Sequence, residues 1–269
     1  MLGCEIMKYK IVFLDVDGTL FSHKTKCIPS SAIKAINKAK ENGIIICLAT
    51  GRNTYLSSQT GLFDIIDFDY FNVCNGTLVH DKEYNLIHSH PIHKECVEAL
   101  IKVTNENNLN MSFVTVNDVF RLTDNTKLIE EGYGRISIKT PHKKPYNNQD
   151  CYMINLFWDK YEKERIDNLF KEASKYSFYS SFNEYGIDVI PLNYNKSIGI
   201  EALINYLGIK KEEVMAIGDG HNDAEMIEYA GLGIAMGNAI DKCKKVADYI
   251  TTDIDDNGIY NAFKYAGII

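Results

Sequence analysis

The 269-residue chain has no apolar run near the roughly 18 to 20 residues that a membrane-spanning helix needs. The short run "IVFL" near the N-terminus stops at an acid, too soon for a secretory signal core. A block of basic residues is also missing. Lys and Arg number 29 against 36 Asp and Glu, a net charge of −7, which argues against a general nucleic-acid or anionic-membrane surface. An anionic small substrate stays open, because a bound cation or a few Lys and Arg reverse the sign locally. The seven cysteines include no C-x-x-C pair, whereas structural zinc sites and disulfide frameworks need close spacing. Cys47 and Cys74 lie in apolar strand-like runs and read as buried thiols. These absences together lead us to expect a soluble, cytoplasmic chain with neither a nucleic-acid nor a membrane partner. The oligomeric state is left open.

What is present is a rhythm. "KIVFLD" (10–15), "IIICLAT" (44–50) and "DYFNVCNG" (69–76) read as strands buried on both faces. A helix over 29–43 follows the first, with Ile33, Ile36 and Ala39 at helical spacing and Gly43 as its stop. Another helix opens at "GRNTYLSSQTG" (51–61). The alternation predicts an α/β fold, a doubly wound, Rossmann-like parallel sheet. Between 82 and 188 the character changes to hairpin-like strands and separate helices, with a polar loop at 139–150. That stretch reads as an α+β module inserted into the first. The α/β rhythm resumes with a helix at 196–208, a buried strand at 213–220, a helix at 221–231 and short strands at 232–237 and 247–251. The core is therefore 1–81 with 189–269.

Ligands of open parallel sheets bind at the carboxyl ends of the strands, and the chemistry-bearing residues collect there. "LDVDGTL" puts Asp15 at a strand end, Asp17 two residues on, and Gly18 where the chain must turn. Two carboxylates ~4 Å apart repel by roughly 4 kcal/mol at an effective dielectric near 20, so one is protonated or a cation sits between them. Alone, the pair is matched by an ordinary solvated turn. "LATGR" adds Thr50 and Gly51, a hydroxyl and backbone N–H groups suited to a phosphate oxygen or, more simply, to capping a helix. "AIGDGHND" ends another buried strand in Asp219, with Asn222 and Asp223 in the next turn. "NYNKSIGIEAL" sets Lys196 at a helix start, where a cation opposes the helix dipole unless it faces an anion.

In this order, "DVDGT", "TGR", a lysine before a helix and "GDGHND" resemble the four motifs of the haloacid dehalogenase-like phosphatases. The insertion resembles the α/β (C2-type) cap of their Cof-type branch. The resemblance spans nearly the whole chain and implies a Mg²⁺-dependent phosphatase for small phosphorylated metabolites, with sugar phosphates the expected class. Asp15 would be the nucleophile that forms an aspartyl-phosphate. Asp17 would be the general acid and base, which asks for a pKa above the usual carboxylate value. Mg²⁺ would be held by Asp15, Asp17 (through its backbone carbonyl) and Asp219, with Asp223 behind them; all the donors are oxygens. Thr50, Gly51, Lys196 and Asn222 would bind phosphate, while Arg52, Asn75 and Gly76 are candidates for substrate contact.

A phosphotransferase such as a phosphomutase would reuse the same aspartyl-phosphate but deliver it to a sugar hydroxyl. A phospho-acceptor module of the receiver type fits less well. Receivers are small and need neither the second acid nor an insertion of a hundred residues.

Overall fold

The computed structural model describes residues 8–135, 138–159, 162–169, 171, 177–183 and 186–269; Cys4 and the N-terminal lead-in lie outside them. The chain starts with β1 (Ile11–Leu14), α1 (Ser30–Glu41), β2 (Ile45–Ala49), α2 (Thr54–Ser58), α3 (Leu62–Ile65), β3 (Tyr70–Val73), β4 (Leu78–Asp81) and β5 (Leu86–Ser89). Next come α4 (Lys94–Asn107), β6 (Asn110–Val114), β7 (Val119–Arg121), α5 (Lys127–Arg135), β8 (His142–Lys143), β9 (Met153–Phe157), α6 (Lys163–Leu169), β10 (Ser177–Asn183) and β11 (Gly186–Pro191). It ends with α7 (Lys196–Leu207), β12 (Val214–Gly218), α8 (Ala224–Tyr229), β13 (Leu232–Ala235), α9 (Asp241–Val246), β14 (Tyr249–Ile250) and α10 (Gly258–Tyr265).

Two sheets result. The first has eight strands in the order β14-β13-β12-β1-β2-β3-β4-β5. Its centre is all parallel: β1 pairs with β12 on one side and β2 on the other, with Ile11 opposite Val214 and Ile45. All four β1 residues and all five of β12 are buried, as strands covered on both faces must be. Helix α1 supports the sheet through Ala32, Ala35, Ile36 and Ala39, one buried stripe at helical spacing. The sheet is not parallel throughout, however. Strand β4 returns antiparallel beside β3, and β5 turns back antiparallel beside β4, because the tight turn after Val73 leaves no length for a crossover helix.

The second sheet, β10-β11-β9-β6-β7-β8, is antiparallel apart from the short β7–β8 pair. Its α4 side is apolar: Cys96, Val97 and Leu100 pack with Met111, Phe113, Ile154, Leu156 and Val189. Set against the expected limits of the inserted module, 82 and 188, the sheets change over slightly later in the chain at both ends. Strand β5 pairs within the first sheet, and β11 continues in the second to Pro191. Both differences arise because sheet membership follows pairing partners, which composition does not reveal. The polar loop expected at 139–150 holds the two-residue strand β8. Cys47 and Cys74 are fully buried. Among the described residues, no helix is long and apolar enough to cross a membrane.

Candidate active site

Three strands carry the site. Because β12, β1 and β2 are adjacent and parallel, their carboxyl ends bring Asp219, Asp15 and Thr50 to one rim. The Asp15 N–H donates to the Ile217 carbonyl at 3.1 Å, so its backbone still follows the sheet. After it, Gly18 takes a φ of +90°, and a Cβ there would strike the Asp219 carboxylate. Glycine is thus required twice over, for the turn and for the approach. Thr19, next in line, donates from its hydroxyl to Asp219 Oδ1 at 2.7 Å. Its place inside "DVDGT" was the available signal for that role.

Oxygens of Asp15, Asp219 and Asp223 lie within 4.8 Å of one another. Lys196, completely buried, sits among them, with Nζ donating to Asp15 Oδ1 and to Asp223 Oδ1, both at 2.6 Å. The lysine expected to face phosphate is therefore seated on two carboxylates in this state. Asn195 caps α7 by accepting from the Ser197 N–H at 2.8 Å, which leaves Lys196 free to point inward. Asp223 has its second oxygen on the backbone N–H groups of Asp219 and Gly220, at 2.9 and 2.8 Å. Both of its oxygens are used inside the protein, so it buttresses the loop.

The charge balance is uneven. Burial first, then Asp223, raises the Asp15 pKa well above the carboxylate range, against the pull of Lys196. Burial and Asp223 likewise push Asp219 up to about 7. One lysine does not satisfy three acids, and a divalent cation on these oxygens would.

Asp17 points elsewhere. Its Oδ1 accepts from Arg52 Nη2 at 2.8 Å and lies 3.3 Å from His23 Nε2. Burial raises its pKa, yet the His23 hydrogen bond and the Arg52 charge together outweigh burial, and the net movement is downward. This corrects the expected upward shift: the nearest groups are the His23 ring nitrogen and the Arg52 guanidinium, with the other carboxylates farther off. Arg52, expected at the substrate, is held on Asp17.

The helix expected to open at Gly51 starts instead at Thr54 and is capped by Asn53, whose Oδ1 accepts from the Leu56 N–H at 2.8 Å. Thr50 is consequently not a helix cap; its hydroxyl accepts from the Arg52 N–H at 3.2 Å. Behind this loop, Cys74, Asn75 and Gly76 form a left-handed turn with φ of 50°, 54° and 94°. That turn is tied to the Thr50 and Arg52 carbonyls by the Asn75 and Cys74 N–H groups. Gly76 packs against the Asn195 backbone, and the Asn75 side chain accepts from Asn222 Nδ2 at 2.7 Å. All the residues singled out in the sequence thus belong to one connected cluster. Three others, His23, Asp188 and Asn155, carried no motif; the only trace was an acid set between Ile187 and Val189 in a strand.

A family model described as haloacid dehalogenase-like hydrolase matches residues 12–263. The chain is 28% identical to a 5-amino-6-(5-phospho-D-ribitylamino)uracil phosphatase of Bacillus subtilis, covering 97% of each chain. It is 30% identical to phosphoglycolate phosphatase 1 of Saccharolobus solfataricus over 93% of this chain and 92% of that one. Among solved structures, the subclass IIB sugar phosphatase BT4131 superposes with a TM-score of 0.84 at 30% identity, covering 97% of this chain and 100% of that one.

Proposed function

The chain belongs to the haloacid dehalogenase-like hydrolases, as a phosphatase with the Cof-type cap, and we propose that it hydrolyses small phosphorylated metabolites, sugar phosphates among them, through an aspartyl-phosphate on Asp15 with Mg²⁺ bound. The observation that supports this most is the meeting of Asp15, Asp219 and Asp223 beside the Thr50–Gly51 loop. The donors are hard oxygens, and the clustered acids share one lysine as counter-charge, so they fit Mg²⁺. The Asp15 and Asp219 carboxylates and the Asp17 backbone carbonyl would hold it, with Asp223 behind. When bound, it neutralises the phosphoryl oxygens and polarises the phosphorus.

In the first step an Asp15 oxygen attacks phosphorus and the bond to the ester oxygen breaks. Asp17 gives its proton to that departing oxygen. Water then attacks the aspartyl-phosphate and passes one proton to Asp17. The bond from phosphorus to Asp15 breaks, releasing phosphate and restoring both acids. Lys196 holds the Asp15 carboxylate in line. Thr50, the Gly51 backbone and Asn222 take the remaining phosphate oxygens, where charge grows during transfer. A panel of phosphomonoesters, with Mg²⁺ or with a chelator, tests the reading. Phosphate release should need the metal. Isomerised sugar phosphate without free phosphate would point to phosphomutase chemistry instead.

The depressed Asp17 pKa has a measurable consequence. The first step needs Asp17 protonated, and Arg52 holds it ionised. Arg52→Gln removes that cation, so the Asp17 pKa rises and the alkaline limb of kcat/KM moves to higher pH. A limb that stays in place would show that Arg52 does not govern Asp17.

A further inference from the structure

Ser112, Asn155 and Asp188 stand in register on adjacent strands β6, β9 and β11. All three are buried, forming a polar row in an otherwise apolar region. Among the described residues no cation touches Asp188. Its two oxygens accept instead from two amides, Oδ1 from Asn155 Nδ2 at 2.7 Å and Oδ2 from Asn75 Nδ2 at 3.1 Å. A Cβ on Gly51 would lie 3.4 Å from that second oxygen, so the carboxylate borders the phosphate loop.

An ionised carboxylate only accepts, whereas a carboxamide both donates and accepts. Asp188 therefore fixes the direction of the whole chain. Asn155 must turn Nδ2 toward Asp188 and Oδ1 away; that Oδ1 accepts from the Tyr133 hydroxyl at 2.7 Å and the Ser112 hydroxyl at 3.2 Å. Asn75 must likewise turn Nδ2 toward Asp188, and its Oδ1 then accepts from Asn222 Nδ2 at 2.7 Å. The left-handed turn at Cys74–Asn75, a costly backbone for two non-glycine residues, holds Asn75 at this junction. Burial is only partly offset by the two amide bonds, and the Asp188 pKa is raised to about 7; the accept-only form that sets the direction is therefore the one present at pH 8, where the assays below are run.

We propose that Asp188 is a positioning residue: from the cap, through Asn75, it fixes which way the Asn222 carboxamide faces at the phosphate site. This rests on the phosphatase reading above and on Asn222 serving the phosphate. An amide at position 188 keeps the shape but removes the polarity, because either flanking amide can then turn over.

The test is Asp188→Asn, assayed with p-nitrophenyl phosphate, whose leaving group has no hydroxyls, and with a sugar phosphate. We expect kcat to fall about tenfold on both, the worth of one misdirected hydrogen bond, with KM changed less than about twofold. The melting temperature should not fall, since a buried charge has been removed. In an Asn222→Ala background, Asp188→Asn should cost nothing more. Unchanged kcat, or fully additive losses, would overturn the proposal. So would a loss confined to the KM of the sugar phosphate, which would mark direct contact between Asp188 and the substrate. The side-chain amide NMR signals of Asn75 and Asn222 report orientation without turnover: slow hydrogen exchange is expected in the wild type and fast exchange in Asp188→Asn. A wild-type protein that releases no phosphate sinks the phosphatase reading; amide signals that do not change sink this one.

Discussion

Asp15→Asn is expected to lower phosphate release by at least about a thousandfold while the protein melts at the same temperature or higher. The substitution keeps the backbone bond to Ile217 and the side-chain shape, but an amide cannot form the acyl-phosphate. Stability should not suffer, because the charge it removes is poorly accommodated. Asp15 is buried beside Asp223 and Asp219, and its pKa is raised above the value for the unfolded chain. A raised acid favours the fold below its unfolded pKa, and that advantage is lost as pH rises through the folded value. For Asp219 the loss runs through about pH 7. At pH 8 the acid cluster therefore opposes folding, and a neutral residue at 15 relieves it. Mg²⁺ should raise the melting temperature of the wild type more than that of Asp15→Asn, since the ion binds the native cluster. Turnover above a tenth of wild type would rule out Asp15 as nucleophile.

Lys196→Met is expected to destabilise the protein by about 3–5 kcal/mol at pH 8, the range for removing one partner of a buried ion pair. Nζ lies 2.6 Å from both Asp15 and Asp223, and the lysine is 0% exposed. Its pKa is raised, with the two acids outweighing burial, so it stays charged across the working range. Without it, both carboxylates face each other across a dry gap. Asp15, whose pKa is already raised, can escape by binding a proton, so the deficit should shrink as pH falls from 8 toward 5. Urea denaturation of both proteins at the two pH values measures this. A constant deficit would mean that lost packing, with no part played by charge, explains the defect.

Much of the architecture was legible because it is local. Continuous apolar runs at Ile11–Leu14 and Val214–Gly218 can only be strands covered on both faces, and each ends in an acid whatever the rest of the chain does. The stripe in α1 and the glycine stop after α7 are similarly written in neighbouring residues. The start of α2 was misplaced because Thr50 and Asn53 are both good caps, and only the bond to Leu56 distinguishes them. The antiparallel return of β4 depends on a turn of three left-handed residues. Asn75 and Gly76 suit that shape, but Cys74 gives no local sign of it.

The sequence by itself determined which residue types stand at the strand ends and in what order, since short-range periodicity and turn chemistry suffice for that. Only the tertiary structure decided what charge each carries. Lys196 reaches Asp15 across 181 positions of chain, the His23 hydrogen bond and Arg52 draw Asp17 down, and Asp188 arrives from the other sheet with an amide on each oxygen. A buried acid's ionisation depends on the groups within a few ångströms of it, and folding alone supplies those neighbours.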